Sequence, residues 1–316
     1  MSARGIDQAV KSLQALQRQI WRHTTEVCED TWAPGYSPTL EFFATDEGLQ
    51  IRFFGDSHDD DASAPVDAES EANFPFCALL EWLSQPAHAA LVQALHFGGP
   101  DSGANGIRGW EFGRLLQSEA VFPQLRLLDI QRTDAADHNL SIVIGTGDED
   151  AMYLREGGML AALLQRMPGL EELRSPSTPD ERFFDGAPHP LRWLRVQSGS
   201  GHQDFIAHLA RSRRFGQLLA LDYAEVCPWQ IEVGADADEL AAQFTDEADF
   251  QALMEAPGLP HWNHFILRGT RLSADQLMRL QDQSKTMQFL YVPTQGSRYV
   301  SHWQDHRRRL AAQSRS

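Results

Sequence analysis

One pattern recurs along the 316 residues and constrains the fold more than any other feature: apolar-x-x-apolar-x-apolar. Leu191-Arg192-Trp193-Leu194-Arg195-Val196 is its clearest copy. Val92/Leu95/Phe97, Leu125/Leu128/Ile130, Leu218/Leu221/Tyr223, Trp262/Phe265/Leu267 and Met287/Leu290/Val292 repeat it. Leu170/Leu173 matches the first two positions, with Ser175 in the third. Positions four and six alternate, which suits a short strand burying one side, while the first apolar residue belongs to the turn entering that strand. Successive copies begin 33, 45, 21, 27, 44 and 25 residues apart.

Helical stretches separate the copies. Cys77–Leu83, Phe112–Ser118, Leu160–Arg166, Phe205–Arg211, Phe250–Glu255 and Ala274–Gln281 read as short helices, and Pro123, Pro168 and Pro257 sit in turns that lead to the next strand. Such alternation predicts an α/β chain with parallel strands and right-handed crossovers. The two long intervals hold Asn139–Ile144 and the acidic stretch Glu232–Asp249, each readable as a degenerate repeat or as a loop inserted on one face, with Trp229–Val233 a candidate extra strand. Ahead of the repeats, residues 6–27 place Ile6, Val10, Leu13, Ile20 and Val27 on one helical face, and Thr39–Ala44 with Leu49–Phe54 reads as a hairpin around Thr45–Gly48. Asp56–Asn73 reads as an acidic loop, and His302–Arg309 as a basic terminal helix.

Three segments carry a family resemblance: Phe122-Pro123-Gln124-Leu125-Arg126-Leu127-Leu128, Met167-Pro168-Gly169-Leu170-Glu171-Glu172-Leu173 and Leu191–Val196. On them the chain resembles the irregular leucine-rich-repeat proteins of the bacterial cytosol, over about residues 76–300. The resemblance implies a solenoid horseshoe, with a parallel sheet on the concave face and helices on the convex face. Residues 1–75 would form an α+β N-terminal cap and residues 301–316 a basic tail. Where the family carries Asn or Cys after the strand, this chain has Thr133, Gly199 and Thr270, which implies an uneven horseshoe. Family members are mostly protein-binding modules, in bacteria effectors, immunity proteins and docking subunits.

Net charge is −17 and unevenly spread. Phe53–Ile107 and Phe215–Leu267 contain no Lys or Arg and together hold 19 acidic residues, leaving the remainder slightly basic. Phosphate contacts need clustered Lys and Arg, so nucleic acid is not an expected partner; a basic protein is. No apolar run has the length of a membrane span, and no signal peptide is expected at the N-terminus. Cys28, Cys77 and Cys227 are too widely spaced for a disulfide framework or zinc site, and their expected fate is burial in a reducing cytoplasm.

Catalytic patterns dissolve on inspection. Gly145-Thr146-Gly147 is followed by Asp148-Glu149-Asp150, whose carboxylates would repel a phosphate. Ser200 beside His202 lacks Gly-x-Ser-x-Gly spacing. Asp59-Asp60-Asp61 lacks the glycine and downstream Glu of a calcium loop, and His261 with His264 has no third ligand. Glu171 and Glu172 are adjacent on a strand and face opposite sides. No enzyme activity, cofactor or metal is expected.

The expected function therefore resides on the strands' outward positions. The period of two assigns Leu127, Asp129 and Gln131, then Glu172 and Arg174, then Trp193, Arg195 and Gln197 to that face. It continues through Ala220 and Asp222, His264, Ile266 and Arg268, and Phe289 and Tyr291. Aromatic residues and Arg dominate protein-binding hot spots. The candidate partner-binding set is Glu172, Arg174, Trp193, Arg195, Asp222, Arg268, Phe289 and Tyr291, serving either an immunity protein that neutralises a basic toxin or an adaptor subunit docking a fixed partner.

Overall fold

The computed structural model describes residues 3–26, 38–55, 74–99, 108–132, 142–145, 156–198, 201–225, 243–284 and 287–293. The expected acidic loop 56–73, the candidate strand 229–233, the terminal helix 302–309, Ser200, and Cys28 and Cys227 lie outside them.

Nine strands form one open sheet, most of whose neighbours are also neighbours in sequence. An N-terminal helix, α1 (Ala3–Glu26), precedes the antiparallel hairpin β1 (Thr39–Ala44) and β2 (Leu49–Phe54). Helices α2 (Phe74–Leu83) and α3 (Pro86–Ala89) lead to β3 (Val92–Gly98), which pairs parallel with β2. Helix α4 (Gly113–Gln117) precedes strand β5 (Leu127–Ile130), and α5 (Met159–Arg166) precedes β7 (Glu172–Ser175). A short 3-10 helix, Glu181–Phe184, comes before β8 (Trp193–Gln197), and α6 (Phe205–Arg211) before β9 (Ala220–Ala224). Finally α7 (Glu247–Met254) leads to β10 (His264–Arg268) and α8 (Ala274–Gln283) to β11 (Gln288–Val292). From β2 onward every pairing in the large sheet is parallel. Two three-residue strands, β4 (Arg108–Trp110) and β6 (Ile142–Ile144), pair with each other in a separate sheet. The interval containing Asn139–Ile144 therefore holds no further strand of the large sheet among its described residues.

Register explains the repeated template. Ile51, Leu95, Leu128, Leu173, Leu194, Leu221, Phe265 and Phe289 are successive partners across eight strands. The first seven are buried and join the helices' apolar residues in one core. Burying a Leu or Phe there contributes roughly 1.5–3 kcal/mol. Ser175, which breaks the pattern, is also fully buried, and its hydroxyl donates to the Ser177 carbonyl at 2.7 Å. That bond removes the cost of an unpaired polar group.

A recurrent turn precedes several strands, and in three copies the template's first apolar residue closes it. Leu125, Leu170, Leu218 and Leu259 donate their amides to the carbonyls of Phe122, Met167, Phe215 and Ala256, three residues back. Proline at the second turn position in three of these turns presets the backbone. Successive turns stack closely: a Cβ on Gly258 would meet the Ser212 carbonyl oxygen at 2.0 Å.

The N-terminal block continues the same sheet and core. Ala9, Leu13, Leu16 and Ile20 of α1 are buried, and the Ser12 hydroxyl accepts from the Trp82 indole at 2.8 Å. Among the described residues no helix is long and apolar enough to cross a membrane.

One strand is inverted relative to expectation. Phe289 pairs with Phe265 and Tyr291 with Leu267, so both sit on the helix-covered face; Leu290 pairs with Ile266 on the opposite face and is 54% exposed. Every residue from Phe289 to Val292 is apolar or aromatic, so alternation alone cannot choose the face, and pairing with β10 does. The Phe265 and Phe289 ring centroids lie 5.4 Å apart. Phe289→Ala should therefore cost about 2 kcal/mol in denaturant unfolding and Leu290→Ala well under 1 kcal/mol. The reverse order would mean the strand is packed the other way up.

Candidate functional site

The sheet's other face carries a row of polar partners in register: Arg52, His96, Asp129, Arg174, Arg195 and Asp222, ending in Ile266 and Leu290. Cross-strand neighbours on a sheet face stand about 4.5–5.5 Å apart at Cβ, so charge order along the row decides its energy. Asp129 sits between His96 and Arg174. His96 Nδ1 lies 3.2 Å from one carboxylate oxygen and Arg174 donates to the same oxygen at 3.1 Å. Burial works to raise the Asp129 carboxyl, but the His96 hydrogen bond and the Arg174 charge outweigh it and hold it below its ordinary value. Glu172, two residues along the same strand face, accepts from Arg174 Nε at 2.8 Å.

A second cluster centres on Asp222, which is only 5% exposed. Arg268 grips both of its carboxylate oxygens, at 2.6 and 3.0 Å. Arg132, just beyond β5, approaches one of them at 3.9 Å. Arg195 is directly opposite Asp222 in register but forms no ion pair among the described residues. Burial lowers the Arg132 pKa; Asp222 opposes this, while Arg268 and Arg195 add to it.

Apolar residues flank this cluster. Trp193, partnered in register by Glu172 and Ala220, is 40% exposed. Ile266 and Leu290 continue the Asp222 row toward the sheet edge. At the other end, Arg52, His96, Asp129 and Gln131 help line a hollow of about 610 Å³.

Of the expected residues, Glu172, Arg174, Trp193, Arg195, Asp222 and Arg268 share this face. Phe289 and Tyr291 pack on the core side. Arg132 escaped the period-of-two reading because it lies beyond the strand end. Ile266 and Leu290 gain meaning only from their register with Asp222. The described part of the face mixes both charges and is not acidic throughout.

No group of three or more His, Cys, Asp or Glu among the described residues could hold a metal ion. His264 is hydrogen-bonded to Asn263. Cys77 is buried.

One buried carboxyl lies apart from the face. Glu225, at the end of β9, is buried and accepts the Thr245 amide at 2.7 Å. Burial raises its pKa to about 7 against the opposing Thr245 amide. The folded state thus holds a proton that the unfolded chain releases from about pH 4.5, so this group's contribution falls as pH rises to about 7 and is flat above. Relative to Glu225→Gln, the native protein should lose on the order of 3 kcal/mol of unfolding free energy over that window. Parallel pH–stability curves for the two proteins would show that the carboxyl titrates normally.

No protein-family model, curated protein or solved structure matches this chain, so the functional reading rests on the geometry of the sheet face.

Proposed function

We propose that this chain is a non-enzymatic protein-binding module of leucine-rich-repeat type, whose open sheet face docks a protein partner. The observation that carries the reading is a parallel-sheet face that no described helix covers. Parallel strands usually have both faces covered by their crossover helices. Here alternate residues of the same strands divide: one set enters the single core with the helices, and the other runs from buried Asp222 through half-buried His96, Asp129, Arg174 and Arg195 to exposed Trp193 and Leu290. That second set includes Trp193 beside Arg195, with Ile266 and Leu290 close by in register.

A large aromatic next to arginines on a rigid sheet is the composition of a binding hot spot. The cross-strand ion pairs hold neighbouring side chains in fixed rotamers, so less conformational entropy is lost on docking. Occlusion follows from this geometry: a broad preorganised face binds by covering the partner's surface, without bond chemistry. The whole-chain charge of −17 supports a basic partner, because complementary fields speed encounter and disfavour wrong partners. A toxin neutralised by such an immunity protein fits that description.

The test is quantitative capture from the native cell with wild type, Trp193→Ala and Leu194→Ala as baits. Trp193→Ala should reduce a specific captured protein at least about tenfold with little change in thermal stability, whereas Leu194→Ala should lower stability by about 2–5 kcal/mol. Full capture by Trp193→Ala would place binding elsewhere.

A further inference from the structure

Among the described residues arginine outnumbers carboxylate around Asp222. Arg268 already engages both oxygens of Asp222, at 2.6 and 3.0 Å, and Arg132 reaches one of them at only 3.9 Å. In register, Arg195 stands between Asp222 and Arg174. Arg174 offers Arg195 no relief, because it is itself a cation and is paired to Glu172 and Asp129. Like charges placed directly opposite on a sheet face are destabilising. The Arg132 guanidinium feels the same excess, since Arg268 and Arg195 both disfavour its charged form. Among the described residues two guanidiniums thus approach the Asp222 carboxylate, and Arg195, opposite it in register, forms no ion pair of its own.

An added anion would complete this arrangement. Asp222 in the fork of Arg268 shows the chemistry already in use: planar carboxylate against planar guanidinium, which permits two parallel hydrogen bonds. The surroundings specify more than charge. Trp193, Ala220 and Ile266 border the cluster in register and offer apolar surface to the flanks of a polypeptide. A free phosphate would leave that surface uncovered.

We propose that Arg195, supported by Arg132 and Arg268, is a carboxylate-binding subsite that receives one Asp or Glu side chain of the protein partner, with apolar neighbours of that residue resting on Trp193 and Ile266. The inference rests on the open face being the docking surface. It is compatible with a partner that is basic overall, since it concerns one contact within the interface.

The test uses the full chain and two blocked pentapeptides, Ala-Leu-Glu-Phe-Ala and Ala-Leu-Gln-Phe-Ala, titrated while the Trp193 indole and the Arg195 side-chain N–H are followed by NMR. Inorganic phosphate is titrated separately. The Glu peptide should shift both signals and bind roughly tenfold more tightly than the Gln peptide, as expected for one charge-assisted contact. Arg195→Gln should abolish the preference, and Arg211→Gln, on α6, should leave it intact. Equal binding of the two peptides, or phosphate binding at Arg195 as tight as that of the Glu peptide, would overturn the carboxylate subsite. If the Trp193 indole still shifts with both peptides, the docking face stands without it; if neither peptide moves either signal, both readings fall.

Discussion

The ladder from Ile51 through Leu95, Leu128, Leu173, Leu194 and Leu221 to Phe265 is the constraint on which the rest of the structure depends. Each strand is only four to seven residues long, too short to be stable alone. Each must therefore arrive in register with its predecessor, apolar side toward the helices. The turns ending at Leu125, Leu170, Leu218 and Leu259 impose that arrival, each through an amide bonded three residues back. Amides entering a strand then bond the preceding repeat: Glu172 to Arg126, Trp193 to Glu171, Ala220 to Arg192 and His264 to Leu219. A slip of one residue would move an entire apolar set to the other face.

The same alternation that fills the core determines what the opposite face can be. Residues between the ladder positions align just as strictly, so charges at those positions form rows and their signs must be reconciled strand by strand. Glu172 and Asp129 accommodate Arg174, Asp129 also meets His96, and Asp222 accommodates Arg268. Arg195 has no equivalent pairing among the described residues. One strand therefore serves both faces, with Leu194 in the core and Trp193 and Arg195 on the opposite side.

Much of this was legible in the amino-acid order. The hairpin bounds and the helix Phe205–Arg211 coincide with expectation: Leu49, Ile51 and Phe53 alternate with Gln50 and Arg52 in β2, and the helix carries a clear apolar face. The parallel sheet followed from helices recurring between strands. Strand β4 was not legible, since three residues hold too little period to distinguish strand from turn, whereas β6 falls within Asn139–Ile144, read as a degenerate repeat or a loop. The inversion of Phe289 and Tyr291 was invisible because their neighbours Leu290 and Val292 are equally apolar. At the site, the Asp222–Arg268 pair was beyond reach for another reason. The two residues lie on adjacent strands but offset by two in register, and registers between repeats depend on turn geometry that spacing alone does not disclose. Arg132 was missed because it reaches the cluster from beyond its strand's end.

The claim that the uncovered sheet face is the binding surface can be tested most directly by site-specific photo-crosslinking. A photoreactive phenylalanine analogue in place of Trp193 samples the open face. The same group in place of Met278, which is 63% exposed on α8, samples the helical side. The account predicts a discrete crosslinked protein from native lysate at position 193 and none at position 278. Crosslinking at 278 with none at 193 would contradict it.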